Sequence, residues 1–271
     1  MQPIVDGNTR IFAILGDPIT QVKSPAQVTA SLRARSRNAI LVPWHVTSDD
    51  FDVVVPALKA IRNLDGLIIT VPHKFAAFRH CEEATGRAAF LGAVNVMRRN
   101  PSGTWKGDMC DGRGFVDAIL EKRGALTGKR ALLLGAGGAG TAIGYALLEA
   151  GIARLAIHDI DVARRDELIR KLRLRFGALV TDGAPEPVEF DILANATPVG
   201  MENLQDVPID VDQLRPTTIV GDVVTATHET ALIQAARSKG CLVSTGHDMY
   251  RALLEKMVDF ILFSDRSNID V

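Results

Sequence analysis

Leu132-Leu133-Leu134-Gly135-Ala136-Gly137-Gly138-Ala139-Gly140 lies near the middle of the chain, and Asp159 follows at the end of a second apolar run. An apolar strand running into G-x-G-x-x-G and then into a helix is the dinucleotide-binding fingerprint. Gly135 allows the tight turn, Gly137 lets the backbone approach a pyrophosphate, and Gly140 lets the helix pack on the strand. The helix opening there turns backbone N–H groups and the positive end of its dipole toward the phosphates. Gly135, Ala136, Gly137, Gly138, Ala139 and Gly140 are therefore the candidate cofactor cradle. Both flanks agree with this reading. Residues 129–134 read as a buried parallel strand, 141–150 as a helix, and 155–157 as the next strand, closed by His158-Asp159. An acidic residue at this strand end accepts from the ribose 2′-OH of NAD, whereas an arginine accommodates a 2′-phosphate. The expected cofactor is NAD.

Strands and helices alternate from end to end, which predicts an α/β protein with mainly parallel sheets. Residues 10–15, 39–46 and 66–70 are expected strands, with helices after Pro25 and over 51–61. Residues 94–98 and 105–107 predict a hairpin around Asn100-Pro101-Ser102-Gly103. A helix over 114–123 and a seam at 124–129 precede the dinucleotide unit, whose later strands are expected near 192–194, 218–223 and 241–244. The last helical pattern covers 249–263, with apolar Leu253, Leu254, Met257, Phe260 and Ile261. Two α/β domains follow, with chemistry expected in the cleft between them.

The bulk numbers exclude several classes of partner. The 271 residues suffice for two domains. A net charge of −1 points to neither a nucleic acid nor a membrane surface. Cys81, Cys110 and Cys241 are odd in number and widely spaced, which gives neither a disulfide framework nor a zinc site. No signal-peptide pattern or spanning apolar run is present, so the expected location is cytoplasmic.

Lys74 is the most informative titratable residue. It follows the apolar run Leu67-Ile68-Ile69-Thr70, at the carboxyl end of a strand, where open α/β sheets bind ligands. Hydride transfer to or from an alcohol carbon needs a partner that exchanges the hydroxyl proton, which a lysine can do. A lysine at a strand end is also commonly a solvated surface residue. Asp111, in Gly107-Asp108-Met109-Cys110-Asp111-Gly112-Arg113-Gly114-Phe115, reads either as the N-cap of a helix beginning near Gly114 or as a carboxylate orienting a lysine and a substrate hydroxyl. Ser24-Pro25 and Gly92-Ala93-Val94-Asn95 have ordinary structural readings as a helix start and a turn. Asn195-Ala196-Thr197-Pro198-Val199-Gly200-Met201 follows a buried strand at the mouth of the nucleotide site. His73 and His80 lack partners at metal-ligand spacing, so no metal is expected.

Taken in order, the segments Gly16-Asp17-Pro18-Ile19, Ser24-Pro25, Thr70-Val71-Pro72-His73-Lys74, Gly92-Ala93-Val94-Asn95, Asp111-Gly112-Arg113-Gly114-Phe115, 135–140 and 195–201 resemble the shikimate/quinate dehydrogenase family over nearly the whole chain. The resemblance implies a substrate domain of residues 1–112 completed by 248–271, and a Rossmann NAD-binding domain of 113–247. It implies hydride transfer between a nicotinamide cofactor and a ring carbon of a small cyclic hydroxy acid, in a monomer or homodimer. Lys74 matches the family's catalytic lysine and Asp111 its partner. Ser24, Thr70, Asn95 and Asp111 are the implied substrate contacts. Asp159, Asn195, Thr197, Val223 and Gly246 join the glycine turn on the cofactor.

The departures from the family pattern concern the substrate. Gln21 and Val22 stand where the family carries a histidine and a carboxylate-binding serine, and Met109-Cys110 replace an Asn-Thr pair. Thr225 takes the place of a tyrosine near the nicotinamide, and Leu253 that of a substrate-binding glutamine. Shikimate is the first expected substrate and quinate the second. A folate-type dehydrogenase would carry its lysine in a different motif, and a non-catalytic NAD-binding regulator need not keep both Lys74 and Asp111.

Overall fold

Three apolar runs near the amino terminus become parallel strands, β1 (Arg10–Gly16), β2 (Ala39–His45) and β3 (Leu64–Ile69), with helices α1 (Ser24–Ala34) and α2 (Ser48–Lys59) between them. The computed structural model describes residues 5–123, 126–226 and 228–262. Residues 124–125 of the expected seam, Phe263 of the last helical pattern, and 1–4 and 263–271 of the expected domain ranges lie outside the described residues.

After β3 come α3 (Lys74–Phe78), β4 (Glu83–Ala84), α4 (Gly86–Leu91), β5 (Val96–Arg99) and β6 (Trp105–Asp108). The sheet order is β2-β1-β3-β5-β6-β4. The expectation of mainly parallel pairing holds for β2-β1-β3 and for β4 with β6, but β5 runs antiparallel to both β3 and β6. The tight turn after β5, where Gly103 N–H donates to the Asn100 carbonyl at 2.9 Å, accounts for its pairing with β6. A short hairpin can join only antiparallel strands. Phe12, Leu15, Leu32, Phe51, Leu67, Met97 and Trp105 fill this core.

The second half builds α5 (Asp111–Arg123), β7 (Arg130–Leu134), α6 (Gly138–Glu149), β8 (Arg154–His158), α7 (Val162–Phe176), β9 (Val180–Asp182), β10 (Ile192–Asn195), β11 (Ile219–Asp222), α8 (Ala231–Ser238), β12 (Leu242–Ser244) and α9 (Gly246–Leu262). All six strands are parallel, in the order β12-β11-β10-β7-β8-β9. Counted from β7, that is the 3-2-1-4-5-6 order of the doubly wound dinucleotide fold, with its switch point between β7 and β10. Residues Ala131–Leu134 are all buried, as a strand covered on both faces requires.

The helix α5 starts at Asp111, three residues before the expected position, so Asp111 sits in the first helical turn instead of capping a helix at Gly114. Packing accounts for the early start. A Cβ on Gly112 would run into the Ala142 carbonyl of α6, and one on Gly114 would lie 2.8 Å from the Leu253 Cβ. Close helix contacts thus outweigh the poor helix propensity of glycine.

Contacts divide the chain into two compact units, one of residues up to Cys110 with the chain from Leu254, the other Asp111–Leu253. The division falls inside α9. In the first unit, Glu255 and Asp259 of α9 pair with Arg35 of α1 at 2.6 and 2.8 Å. These pairs are largely exposed and contribute about 1 kcal/mol or less each. Met257, Val258 and Ile261 are buried and hold the helix in place, at roughly 1.5–3 kcal/mol per side chain.

Candidate substrate and dinucleotide sites

In the first unit, backbone bonds stitch the carboxyl ends of β1, β2 and β3 together. Thr70 N–H donates to the Leu15 carbonyl at 3.0 Å, Asp17 N–H to Val71 at 2.9 Å, and Val46 N–H to Gly16 at 3.2 Å. His73, 2% exposed, stacks on Phe51 with ring centroids 4.3 Å apart. Its Nε2 lies 2.6 Å from the Val46 carbonyl, a distance that calls for the Nε2–H tautomer as donor. The next residue is Lys74, the first of α3, whose carbonyl accepts from Val94 N–H at 3.0 Å.

Asn95 is tied to the same region. Its carbonyl accepts from Ile69 N–H at 2.8 Å and its Oδ1 from Cys110 N–H at 2.8 Å. Thr70, Lys74 and Asn95 are thereby brought together by backbone bonds. Ser24 is buried at the start of α1. Asp108 anchors the segment before Asp111, accepting from Arg87, from Thr85 Oγ1 at 2.5 Å and from Met109 N–H at 2.8 Å. His80 is engaged by Asp52 at 2.7 Å. Among the described residues no group of three or more His, Cys, Asp or Glu side chains is placed to hold a metal ion.

In the second unit the glycine turn has the shape a pyrophosphate needs. Gly135 takes φ +92°, and a Cβ there would lie 2.9 Å from the Ala196 carbonyl oxygen. A Cβ at Gly140 would strike the Gly135 carbonyl, whereas the α-carbon of Gly137 faces open space. A side chain would fill that opening. Asp159, 7% exposed, follows β8; its Oδ2 accepts from Ala136 N–H at 2.7 Å and its Oδ1 from Asp161 N–H at 2.8 Å. The carboxylate therefore shapes the turn itself. Arg164, its side chain about half exposed, stands 3.1 Å from Asp161 and 3.8 Å from Asp159. Arg165 pairs with Asp166.

Register levels the ends of β7, β10 and β11, with Leu134 opposite Asn195 and Asn195 opposite Asp222. Asn195 and Asp222 are 0% and 1% exposed. Asn195 Nδ2 donates to Asp222 Oδ1 at 3.0 Å, and Asn195 Oδ1 accepts from Thr197 N–H at 3.1 Å and Thr197 Oγ1 at 2.7 Å. Asp222 also accepts from Val224 N–H at 3.1 Å and from Thr230 Oγ1 at 2.7 Å. Burial pushes the Asp222 carboxyl above the usual carboxylate range, against the pull of these three donors. Val223 and Gly246 meet here too, since a Cβ on Gly246 would lie 2.8 Å from the Val223 carbonyl oxygen.

Sequence reading passed over His73 as a positioning group and over Asp222 and Thr230 altogether. The signal for Asp222 was present, as a lone carboxylate closing the apolar run Ile219-Val220-Gly221. Leu253 proves to be a buried packing residue against Gly114.

Comparison with known proteins bears on both units. Residues 14–97 match the family described as "Shikimate dehydrogenase substrate binding domain". The shikimate dehydrogenase (NADP(+)) of Geobacter metallireducens is 32% identical over 254 residues, covering 90% of this chain and 88% of that one. Shikimate 5-dehydrogenase from Listeria monocytogenes, solved with shikimate and NAD, superposes with a TM-score of 0.84 at 25% identity, covering 94% of this chain and 92% of the other. Quinate dehydrogenase from Corynebacterium glutamicum, solved with NAD, gives 0.85 at 27% identity, covering 94% of each.

Proposed function

Since this chain belongs to the shikimate dehydrogenase family of oxidoreductases, we propose that it oxidises, reversibly, a ring hydroxyl of a shikimate-like cyclic hydroxy acid, with NAD preferred as cofactor. The observation that carries this reading is the placement of Lys74, set at the start of α3 by the buried His73 and bonded through its backbone to the segment bearing Asn95. In the proposed reaction the bound nicotinamide supplies the hydride acceptor. Lys74 takes the hydroxyl proton, Asp111 orients the lysine and an adjacent hydroxyl, and Ser24, Thr70 and Asn95 hold the substrate. The substrate domain is assigned to residues 1–112 with 248–271 and the nucleotide domain to 113–247, bounds that depart from the two compact units at 111–112 and 248–253. The glycine turn of residues 135–140 cradles the pyrophosphate, Asp159 accepts from the adenosine ribose, and Thr197, Val223 and Gly246 line the nicotinamide side.

NAD preference is proposed against the names of the curated relatives, which specify NADP(+). Its support is electrostatic. Asp159 and Asp161 put two carboxylates at the ribose position against the single guanidinium of Arg164. A dianionic 2′-phosphate there meets net negative charge. Quinate is the second substrate reading, supported by the Corynebacterium neighbour. Steady-state assays of shikimate and quinate with NAD and NADP test the function. Turnover of shikimate or quinate is the expected result, and NAD binding without turnover of either would turn the reading toward a regulator.

Val22 bears on which acid is used. It is a half-buried apolar side chain two residues before the buried Ser24, and an anion gains nothing from a valine. A weak KM for shikimate is expected, and Val22→Ser should lower that KM by about three- to tenfold, the net worth of one ordinary hydrogen bond. Tight shikimate binding by the wild type, unchanged in the variant, would show that another group anchors the carboxylate.

A further inference from the structure

Asn195 and Asp222 end adjacent strands at the ligand-binding edge of the second sheet, yet their side chains are turned onto each other and closed off from solvent. The single acceptor oxygen of Asn195 is already filled twice by Thr197. A side chain in that condition has little left to offer a ligand. We propose that Asn195 and Asp222 are positioning residues that brace the nicotinamide half of the cofactor site, fixing the turn at 195–199 to the loop after β11 without touching the cofactor. The proposal rests on the dinucleotide reading above.

The anchoring pattern supports it. From one carboxylate, bonds run to the end of β10 through Asn195, to the loop backbone through Val224, and to the start of α8 through Thr230. Thr230 in turn accepts from Ile233 N–H as the cap of α8. Thr197 passes the constraint on, accepting from Val199 N–H. A doubly wound sheet consists of two mononucleotide-binding halves. The β7–β9 half, with the glycine turn and Asp159, is matched to the adenosine end, which leaves the β10–β12 half, where the brace lies, to the nicotinamide end.

Stability alone does not call for a carboxylate at position 222. A buried ionised group is costly even when bonded. Because the folded-state pKa of Asp222 is raised, its favourable contribution exists below the ordinary carboxylate range and is lost as pH rises through the folded value. An asparagine there keeps the shape, accepting from Val224 and Asn195 with its oxygen and offering its amide to the Thr230 hydroxyl. Asp222→Asn should therefore keep the wild-type Tm at pH 7 or exceed it, while loosening the brace by replacing charge-assisted bonds with neutral ones.

Calorimetric titration of the wild type, Asp222→Asn and Thr230→Val with NAD and with ADP-ribose, which lacks the nicotinamide, tests the proposal. Thr230→Val removes one anchor and leaves the carboxylate, so it reports even where the other variant folds poorly. The expected result is a loss of about tenfold in NAD affinity in both variants, with ADP-ribose affinity within about twofold of wild type and kcat reduced, in keeping with the sensitivity of hydride transfer to small misplacements. Equal losses for both ligands, or no loss for either, would overturn the brace. A wild type that binds neither ligand would instead bring down the dinucleotide reading.

Discussion

Lys74→Ala is expected to lower kcat by about two to four powers of ten, the usual worth of a general acid–base group. The variant should fold, because backbone bonds and the side chains of its neighbours hold residue 74 at the start of α3. The Val94 N–H bond to the residue 74 carbonyl and the His73–Phe51 stack do not involve the lysine side chain. NAD affinity should barely change, since the glycine turn lies in the other unit. Lys74→Arg should not restore the rate, because a guanidinium stays protonated at any working pH and cannot exchange the proton. Stopped-flow measurement of NADH formation with shikimate checks both rates, Tm checks the fold, and calorimetric titration with NAD checks the affinity. A Lys74→Ala enzyme with near-native kcat would remove the lysine from the reaction.

The second large effect concerns the cofactor. On the wild type, kcat/KM with NAD should exceed that with NADP by at least about tenfold, equivalent to roughly 1.4 kcal/mol. The paired change Asp159→Asn with Ile160→Arg should move the preference toward NADP. Ile160 is 95% exposed, so an arginine fits there without disturbing the core. Asp159 is less freely exchanged. Its two oxygens hold two backbone N–H groups, and an asparagine can accept only one of them. The exchanged enzyme should therefore lose NAD activity more steeply than it gains NADP activity. Equal wild-type kcat/KM for the two cofactors, or a preference for NADP, would contradict the role given to Asp159.

The long apolar strands and the glycine turn were legible because one property, burial on both faces, is written directly in residues such as Leu132-Leu133-Leu134. The short helices were not. The helix α3 has five residues, too few for a periodic stripe, so Lys74 read as the end of a strand and not as the start of a helix. The helix α4 depends on the Thr85 cap and on Gly92 at φ +65°, signals that carry little weight in six residues. Among the site residues, Lys74, Asp159 and the glycines carried their own local context. The Asn195–Asp222 pair did not, because it depends on which strands become neighbours and in what register.

The split of α9 between the two units has a consequence for the order of biosynthesis. Residues up to Cys110 leave the ribosome first, but Met257, Val258 and Ile261, which complete their core, are made only after the whole of Asp111–Leu253. At about 5–20 residues per second that interval is on the order of ten seconds or more. Throughout it the nascent amino-terminal unit exposes the apolar surface that α9 will cover. The nucleotide unit is contiguous in sequence and needs no such wait, so the part of the protein translated second is the part that can finish folding first.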